Sequence, residues 1–464
     1  HTSSDRDWSS DVCSSDLLMS TYNYDPGDYK DFGAFPSGNY KLFGKIDWNI
    51  SKNHKFSARY NRLRNDSRTL TNASSGPPVI PRSNYSRVSE YAISFSNSFY
   101  TETNSVDALS AELNSTFGNR VSNKFLVSYT MVTDPKRSSP SDIFPFVDIY
   151  KDGNPYMSFG YELFTYRNQV ENNTFSIVDN LTLNLNKHTI TAGFAYDNMY
   201  VNNTYIREGT SYYRFASLDD FINNAKPTGF GITYGYGGAD PKGVEMSFGL
   251  GSLYLQDEWQ VNKNFKLTFG VRAELPMYHN KLMDNPAVGA LTFKDGYKMD
   301  IANWPDSKIQ VNPRIGFNWD IKGDRSIQVR GGTGLFSGVL PFVWFTNQPS
   351  SSGTVQSPEI GILGANLPAD FRFNKDFRAQ IAKYPALFPQ SVSTTLASGA
   401  ALAEVKKDFK MPRVWRSNLA GDIELPGNMI LTMEALFTKD LNAIVQKNMN
   451  LPAANRVFSG PDKR

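Results

Sequence analysis

Cysteine and histidine are scarce in this chain, long apolar runs are missing, and each shortage closes off a class of function. Cys13 is the single cysteine in 464 residues, so neither a disulfide framework nor thiol chemistry organises the molecule. It lies in Asp7–Leu17, a stretch that looks like a translated sequencing-library adapter, and residues 1–17 are set aside from the fold argument for that reason. Residues 18–38 then read as a lead-in loop and 39–464 as the structured part. Of the four histidines, His1 falls in the excluded stretch. His54 sits at a turn, His188 at a strand start and His279 at a loop start, with no metal-ligand, triad or HExxH spacing among them. No enzymatic activity, metal or cofactor is expected. Charge is nearly balanced: Asp5, Asp7, Asp11 and Asp16 against Arg6 give the excluded stretch −3, so the formal +3 of the chain becomes +6 without it. Spread over such a length, that excess gives no nucleic-acid footprint. No run of 18 apolar residues occurs, so no membrane-spanning helix is expected.

What the chain has in quantity is aromatic residues and alternation. Aromatics make up 14%, with 32 Phe and 24 Tyr, yet mean hydropathy is −0.43. The segment Gly251–Glu274 shows how both can hold. Leu253, Leu255, Trp259 and Val261 share one face of a strand, and Tyr254, Gln256, Glu258 and Gln260 the other. After Asn262-Lys263-Asn264, Phe265, Leu267, Phe269, Val271 and Ala273 alternate with Lys266, Thr268, Gly270, Arg272 and Glu274. A period of two with a three-residue break is a hairpin with one apolar face. Asp257 alone interrupts that face. Lys45–Tyr60 and Ile315–Arg330 repeat the pattern, and Trp48, Trp259 and Trp319 each fall two residues before the last apolar residue ahead of the turn. A Trp recurring at one level suits an interfacial girdle. It equally suits a soluble β-protein with a core Trp in each hairpin.

The connections separate these readings. Further alternating segments flank Gly118–Asn123, Asn186-Lys187 and Pro426–Asn428, giving roughly a dozen strands. Short turns at Ser51–His54, Gly118–Asn123, Asn186-Lys187, Asn262–Asn264, Lys322–Asp324 and Pro426–Asn428 alternate with long polar stretches at Leu63–Tyr91, Asp134–Arg167, Thr204–Ser247, Tyr278–Gln310 and Ser337–Pro412. Long connections at every second position are foreign to a sandwich and are the pattern of a membrane barrel. The expected fold is all-β, an antiparallel transmembrane β-barrel. Ser217–Ile222, which opens on a capping Ser, and Ala400–Asp408 read as short helices within the loops.

Tyr254-Leu-Gln-Asp-Glu-Trp-Gln-Val261 resembles a signature strand of TonB-dependent outer-membrane receptors. Tyr213–Phe221, Asn312–Asp320, Val329–Phe336, Pro341–Asn347 and Val414–Leu419 resemble the Oar-like branch of that family, and Asp257 stands at the family's own acidic position. The resemblance runs from about Asn39 to the C-terminus. It implies a Gram-negative outer membrane, short periplasmic turns, long extracellular loops and a plugged barrel of about 22 strands. It also implies import of a bulky, scarce nutrient, powered through TonB. The sequence has no recognisable plug, TonB box or N-terminal carboxypeptidase-regulatory-like domain, and Asn455–Arg464 reads as a loop before a further strand. The expectation is therefore a partial barrel, roughly half of the whole.

Ligand contact has few candidates. Arg272, Arg330 and Arg416 fall on the polar face, where they would line the lumen and touch substrate or plug, or only hold the plug. Trp344 and Phe345 follow Gly338 and offer rings for stacking, or for packing on other loops. Gly331–Gly334 and Gly235–Gly238 lack the Lys-Ser/Thr and following helix of a phosphate loop and read as bend or bulge glycines. Asp219, Asp220, Asn223 and Asn224 lack calcium-loop spacing and fit a helix start. Nutrient transport, with outer-membrane lipid, TonB and an extracellular substrate as partners, stands beside two alternatives: a surface protein whose loops bind a partner, and a secreted glycan-binding β-protein.

Overall fold

The computed structural model describes residues 8–393, 396 and 402–451. In chain order the strands are β1 (Ser37–Asn49), β2 (His54–Thr69), β3 (Ile93–Ser94), β4 (Tyr100–Phe117), β5 (Val121–Ser138) and β6 (Phe146–Lys151). There follow β7 (Asn154–Phe159), β8 (Gln169–Leu185), β9 (His188–Thr204), β10 (Tyr212–Phe215), β11 (Gly229–Ile232) and β12 (Val244–Gln260). The last six are β13 (Phe265–Tyr278), β14 (Gln310–Asp320), β15 (Ile327–Ser337), β16 (Ile360–Leu363), β17 (Arg413–Leu425) and β18 (Met429–Asn442). Five helices accompany them: α1 (Trp8–Tyr22), α2 (Leu218–Ile222), α3 (Pro286–Ala290), α4 (Val343–Ser351) and α5 (Phe377–Lys383).

Twelve strands form one antiparallel meander, β1-β2-β4-β5-β8-β9-β12-β13-β14-β15-β17-β18. Its six hairpins close at the six short turns expected from the sequence. The apolar rows share a face across the ladder: Leu253 pairs with Ala273 and Phe194, and Leu255 with Val271 and Ala192. That face is bare, Leu253 being 64% and Ile46 68% exposed. A face this apolar and uncovered needs lipid against it. Trp48, Trp259 and Trp319 all lie on it close to the short turns, as a girdle requires. Asp257, three residues before β12 ends, is tolerated there because His188 Nδ1 bonds its Oδ2 at 2.7 Å while the imidazole stacks on Trp259.

Several strands outlast their apolar rows. β4 and β5 have 18 residues each, where about 9–11 cross a bilayer. β2 continues to Thr69, beyond the boundary expected at Leu63, because a charged ladder replaces the apolar one. Arg62 bonds Asp107 at 3.1 Å, Arg64 bonds Asp66 at 2.8 Å, and Thr103 donates to Asp66 at 2.5 Å.

The long connections are not the open polar stretches the sequence implied. Four of the five each contribute to a second, six-stranded sheet, β16-β11-β10-β6-β7-β3, in which β6–β10 and β3–β7 run parallel. This cap holds the largest apolar core of the molecule, with Phe95, Phe159, Tyr213, Phe215, Phe230 and Phe371 at 1% exposure or less. Beneath it, residues 18–22 are helical where a lead-in loop was expected, and Leu18 and Tyr24 are buried against the same core. Ser217 caps α2, its Oγ accepting from the Asp220 amide at 3.1 Å. Of the second expected helix, Ala400 and Ala401 lie outside the described residues, and 402–408 are not helical. That segment instead lies along α4, with the Val405 amide donating to Gln348 Oε1.

Candidate ligand site at the long-loop mouth

The polar face of the meander is built by the same alternation that makes the lipid face. Arg272, Arg330 and Arg416 all fall on it, on β13, β15 and β17. Two are committed. Arg272 donates to Glu274 and to Ser252, both at 2.8 Å, with its guanidinium over Tyr254. Arg330 is ion-paired with Asp422. Arg416 has no side-chain hydrogen bond among the described residues. With Arg314 it flanks a groove of about 410 Å³ whose floor includes Gly270, Gly316 and Gly332. Gly331–Gly334 is therefore no bulge: β15 keeps an unbroken register to β14 and β17. A Cβ on Gly332 would stand 3.1 Å from the Ile315 carbonyl, and the missing side chains leave that part of the wall smooth.

Towards the long loops the inward row turns apolar. Val201, Met246 and Phe248 form a collar on β9 and β12, and loop residues Leu340, Phe345, Val405 and Met411 close over it. Phe345, only 2% exposed, lies 5.1 Å from Trp304, which stacks on Tyr278 at 4.7 Å. As placed, Phe345 offers no face to a ligand, and Trp344 packs partly buried beside it. The helix that carries both packs over this collar at the long-loop end of the wall.

Above the collar the cap contains an open cavity of about 320 Å³ that sequence reasoning missed. The glycine turn 235–238 forms one side, Gly237 and Gly238 adopting φ of 63° and 75°. Tyr166, Tyr234, Phe377 and Ile381 supply apolar wall. At its edge Asp240 accepts from Arg167 Nη2 at 2.6 Å, Arg378 Nη2 at 2.9 Å and the Tyr166 hydroxyl at 3.0 Å. Burial opposes ionisation of Asp240, but the Tyr166 hydroxyl and the two guanidiniums outweigh it and hold the carboxyl below its ordinary range. The glycine turn was visible in the sequence. The meeting of Asp240 with Arg378, 138 residues on, depends on tertiary structure alone.

Buried acids complete the cap. Asp148 is gripped by Arg87 through Nε at 2.7 Å and Nη2 at 2.6 Å, and also accepts from Tyr212 and Ser158, both at 2.7 Å. Glu208 is 1% exposed, and burial together with the nearby charge of Glu359 pushes its carboxyl up to about 8. Glu359 is also raised, chiefly by burial, although Arg207 donates to it at 2.8 Å. Among the described residues no cluster of His, Cys, Asp and Glu is arranged to hold a metal.

A family model described as an outer membrane beta barrel domain matches residues 21–462. Among solved structures the chain is similar to the outer membrane transporter YddB from Escherichia coli, with 12% identity and a TM-score of 0.48 over 87% of this chain and 47% of that one. It is similar to the closed form of the ferric-catecholate import receptor Fiu from E. coli K12, with 10% identity and a TM-score of 0.47 over 92% and 54%. It is also similar to the FrpB iron transporter from Neisseria meningitidis, with 11% identity and a TM-score of 0.43 over 90% and 48%. The chain thus spans about half the length of these solved structures. No curated protein matches it.

Proposed function

We propose, from the premise that this chain belongs to the outer membrane β-barrel domain family and lies in the outer membrane of a Gram-negative bacterium, that it forms part of the wall and the cap of a TonB-dependent receptor importing a bulky, scarce nutrient. Within that group we place it in the Oar-like branch, on the motifs at Tyr213–Phe221, Asn312–Asp320, Val329–Phe336, Pro341–Asn347 and Val414–Leu419. One observation carries the transport reading: a polar, arginine-bearing inner wall leads to a long-loop end over which a folded loop packs. A barrel serving only as an anchor needs no gate, because nothing passes through it. Arg416, without a side-chain hydrogen bond among the described residues, and the smooth glycine floor beside it supply a surface along which a polar solute or a plug can move.

The test compares nutrient depletion from the medium by three strains: wild type, a deletion of the gene encoding this chain, and a deletion of TonB. At least one solute is expected to be taken up by the first strain and left by both others. Retention of uptake in the TonB strain removes the energised-import reading. Depletion identical in all three would favour the alternative, a membrane-anchored cap that binds a surface partner.

A further inference from the structure

We infer that the cap cavity bounded by Tyr166, Asp240, Phe377 and Arg378 binds the end of a ligand that carries an apolar group next to a carboxylate. The inference rests on the import reading for its biological meaning, and on the cavity alone for its chemistry.

The charges at the cavity edge do not balance. Asp240 is shared by Arg167 and Arg378, which leaves an excess of one positive charge beside an apolar hollow. Arg378 donates through Nη2 only, to Asp240 at 2.9 Å and the Tyr166 hydroxyl at 3.2 Å. Its Nε and Nη1 have no partner among the described residues. Its side chain is 44% exposed, so it is reachable from outside. The guanidinium also lies 4.7 Å from the centre of the Phe377 ring. The N–H groups left on Nε and Nη1 can each donate one charge-assisted hydrogen bond to a second carboxylate. The hollow beside it is walled by Tyr166, Phe377 and Ile381, each 5–6% exposed, and so offers an apolar surface with little side-chain freedom left to lose.

Size narrows the class. About 320 Å³ stands at the low end for small-molecule pockets. The cavity takes one side-chain-sized group rather than a whole bulky nutrient. Such an end is found both on a peptide with a free C-terminus and on a small organic acid, and the two share the recognition chemistry.

The experiment uses the full-length receptor in detergent and reads binding by titration calorimetry. The probes are N-acetyl-phenylalanine, its amide, and a tetrapeptide ending in phenylalanine as free acid and as amide. Both free acids are expected to bind saturably, each at least tenfold tighter than its amide. Arg378→Gln is expected to erase that preference, and Ala382→Phe, which fills the hollow, to abolish binding of all four. Binding of the small acid but not the peptide assigns the site to organic acids, and tighter binding of the peptide assigns it to peptide ends. Equal binding of acid and amide, or binding indifferent to Ala382→Phe, overturns the inference. None of these readings requires TonB. Failed uptake with intact binding therefore counts against the import reading alone, and intact uptake without binding counts against the cavity alone.

Discussion

Asp148 and Glu208 are both acids buried in the cap, and their surroundings push them in opposite directions. Burial opposes the charge of Asp148, but the bidentate Arg87 outweighs it and keeps the carboxyl below its ordinary range. The stabilisation from this pair is present above the unfolded carboxyl value and is lost as pH falls through the lower folded one. Asp148→Asn strands a guanidinium whose side chain is 4% exposed, and breaking such a buried pair costs about 3–5 kcal/mol. The expected result is lost hydrogen-exchange protection in β6 and β10 with the twelve-stranded sheet unchanged; equal loss in both sheets would mean that the pair stabilises more than the cap. Glu208 has the reverse sign. With its folded value raised to about 8, the native cap keeps a proton that the unfolded chain releases near the ordinary value of about 4.3. Stability therefore declines across that window as pH rises and levels off above it. Glu162, raised to about 7 by burial against the backbone bond from Phe164, adds a decline of the same sign. Glu208→Gln keeps an uncharged group in place, so its cap protection is expected to fall less between pH 5 and pH 8 than that of the wild type. An unchanged slope would show that Glu208 does not hold the proton.

Elements differ in how plainly the sequence announces them. The six hairpins were legible because each strand has one face in lipid and one in the lumen, so its side chains alternate, and each ends at a turn rich in Asn, Gly or Asp. The cap strands carry no such mark. β11 is four residues long and buried throughout, and β6 is buried over its first four positions. A short strand covered on both sides shows no alternation, and the partners of these two include strands far along the chain, β10 for β6 and β16 for β11. Tyr213 and Phe215 belong to a segment that resembles a family motif, yet both fill the cap core. The candidate site was legible to the same uneven degree. The polar-face position of the three arginines followed from the period of two, whereas the Arg378–Asp240 contact and the packing of α4 over the collar followed from nothing local. That packing yields its own prediction. A reporter thiol introduced by Met246→Cys lies in the collar beneath Phe345 and is expected to resist a bulky external maleimide. Phe345→Ala removes a ring at a position where such truncation costs about 3–5 kcal/mol. In that background the thiol is expected to react at least tenfold faster. Equal rates would mean that α4 does not seal the mouth.

The whole molecule is governed by its two outermost strands. β1 and β18 end the twelve-strand order, and among the described residues neither has a second strand beside it. Along 13 and 14 residues respectively, alternate N–H and C=O groups point away from the sheet. Water satisfies such an edge on a soluble protein. Hydrocarbon does not, and each unpaired group there costs several kcal/mol. An open meander with a lipid face this apolar therefore cannot rest in a bilayer as a sheet: its edges must find partners. Further strands, as in a barrel of about 22, would supply them and leave a lumen wide enough for the bulky solute proposed above. Closure of the twelve strands on themselves would also satisfy the edges. It would leave a much narrower lumen than a barrel of about 22 strands. These outcomes separate on a gel. The 464-residue chain refolded alone in detergent is expected to migrate identically with and without boiling and to be cut by protease along β1 and β18. The protein extracted from the outer membrane of its host is expected to shift on boiling and to resist cleavage. A boiling-dependent shift from the short chain would mean that β1 and β18 pair with each other or across two copies, and the wide-lumen reading would give way to a narrow barrel whose cap, not its pore, is the working part.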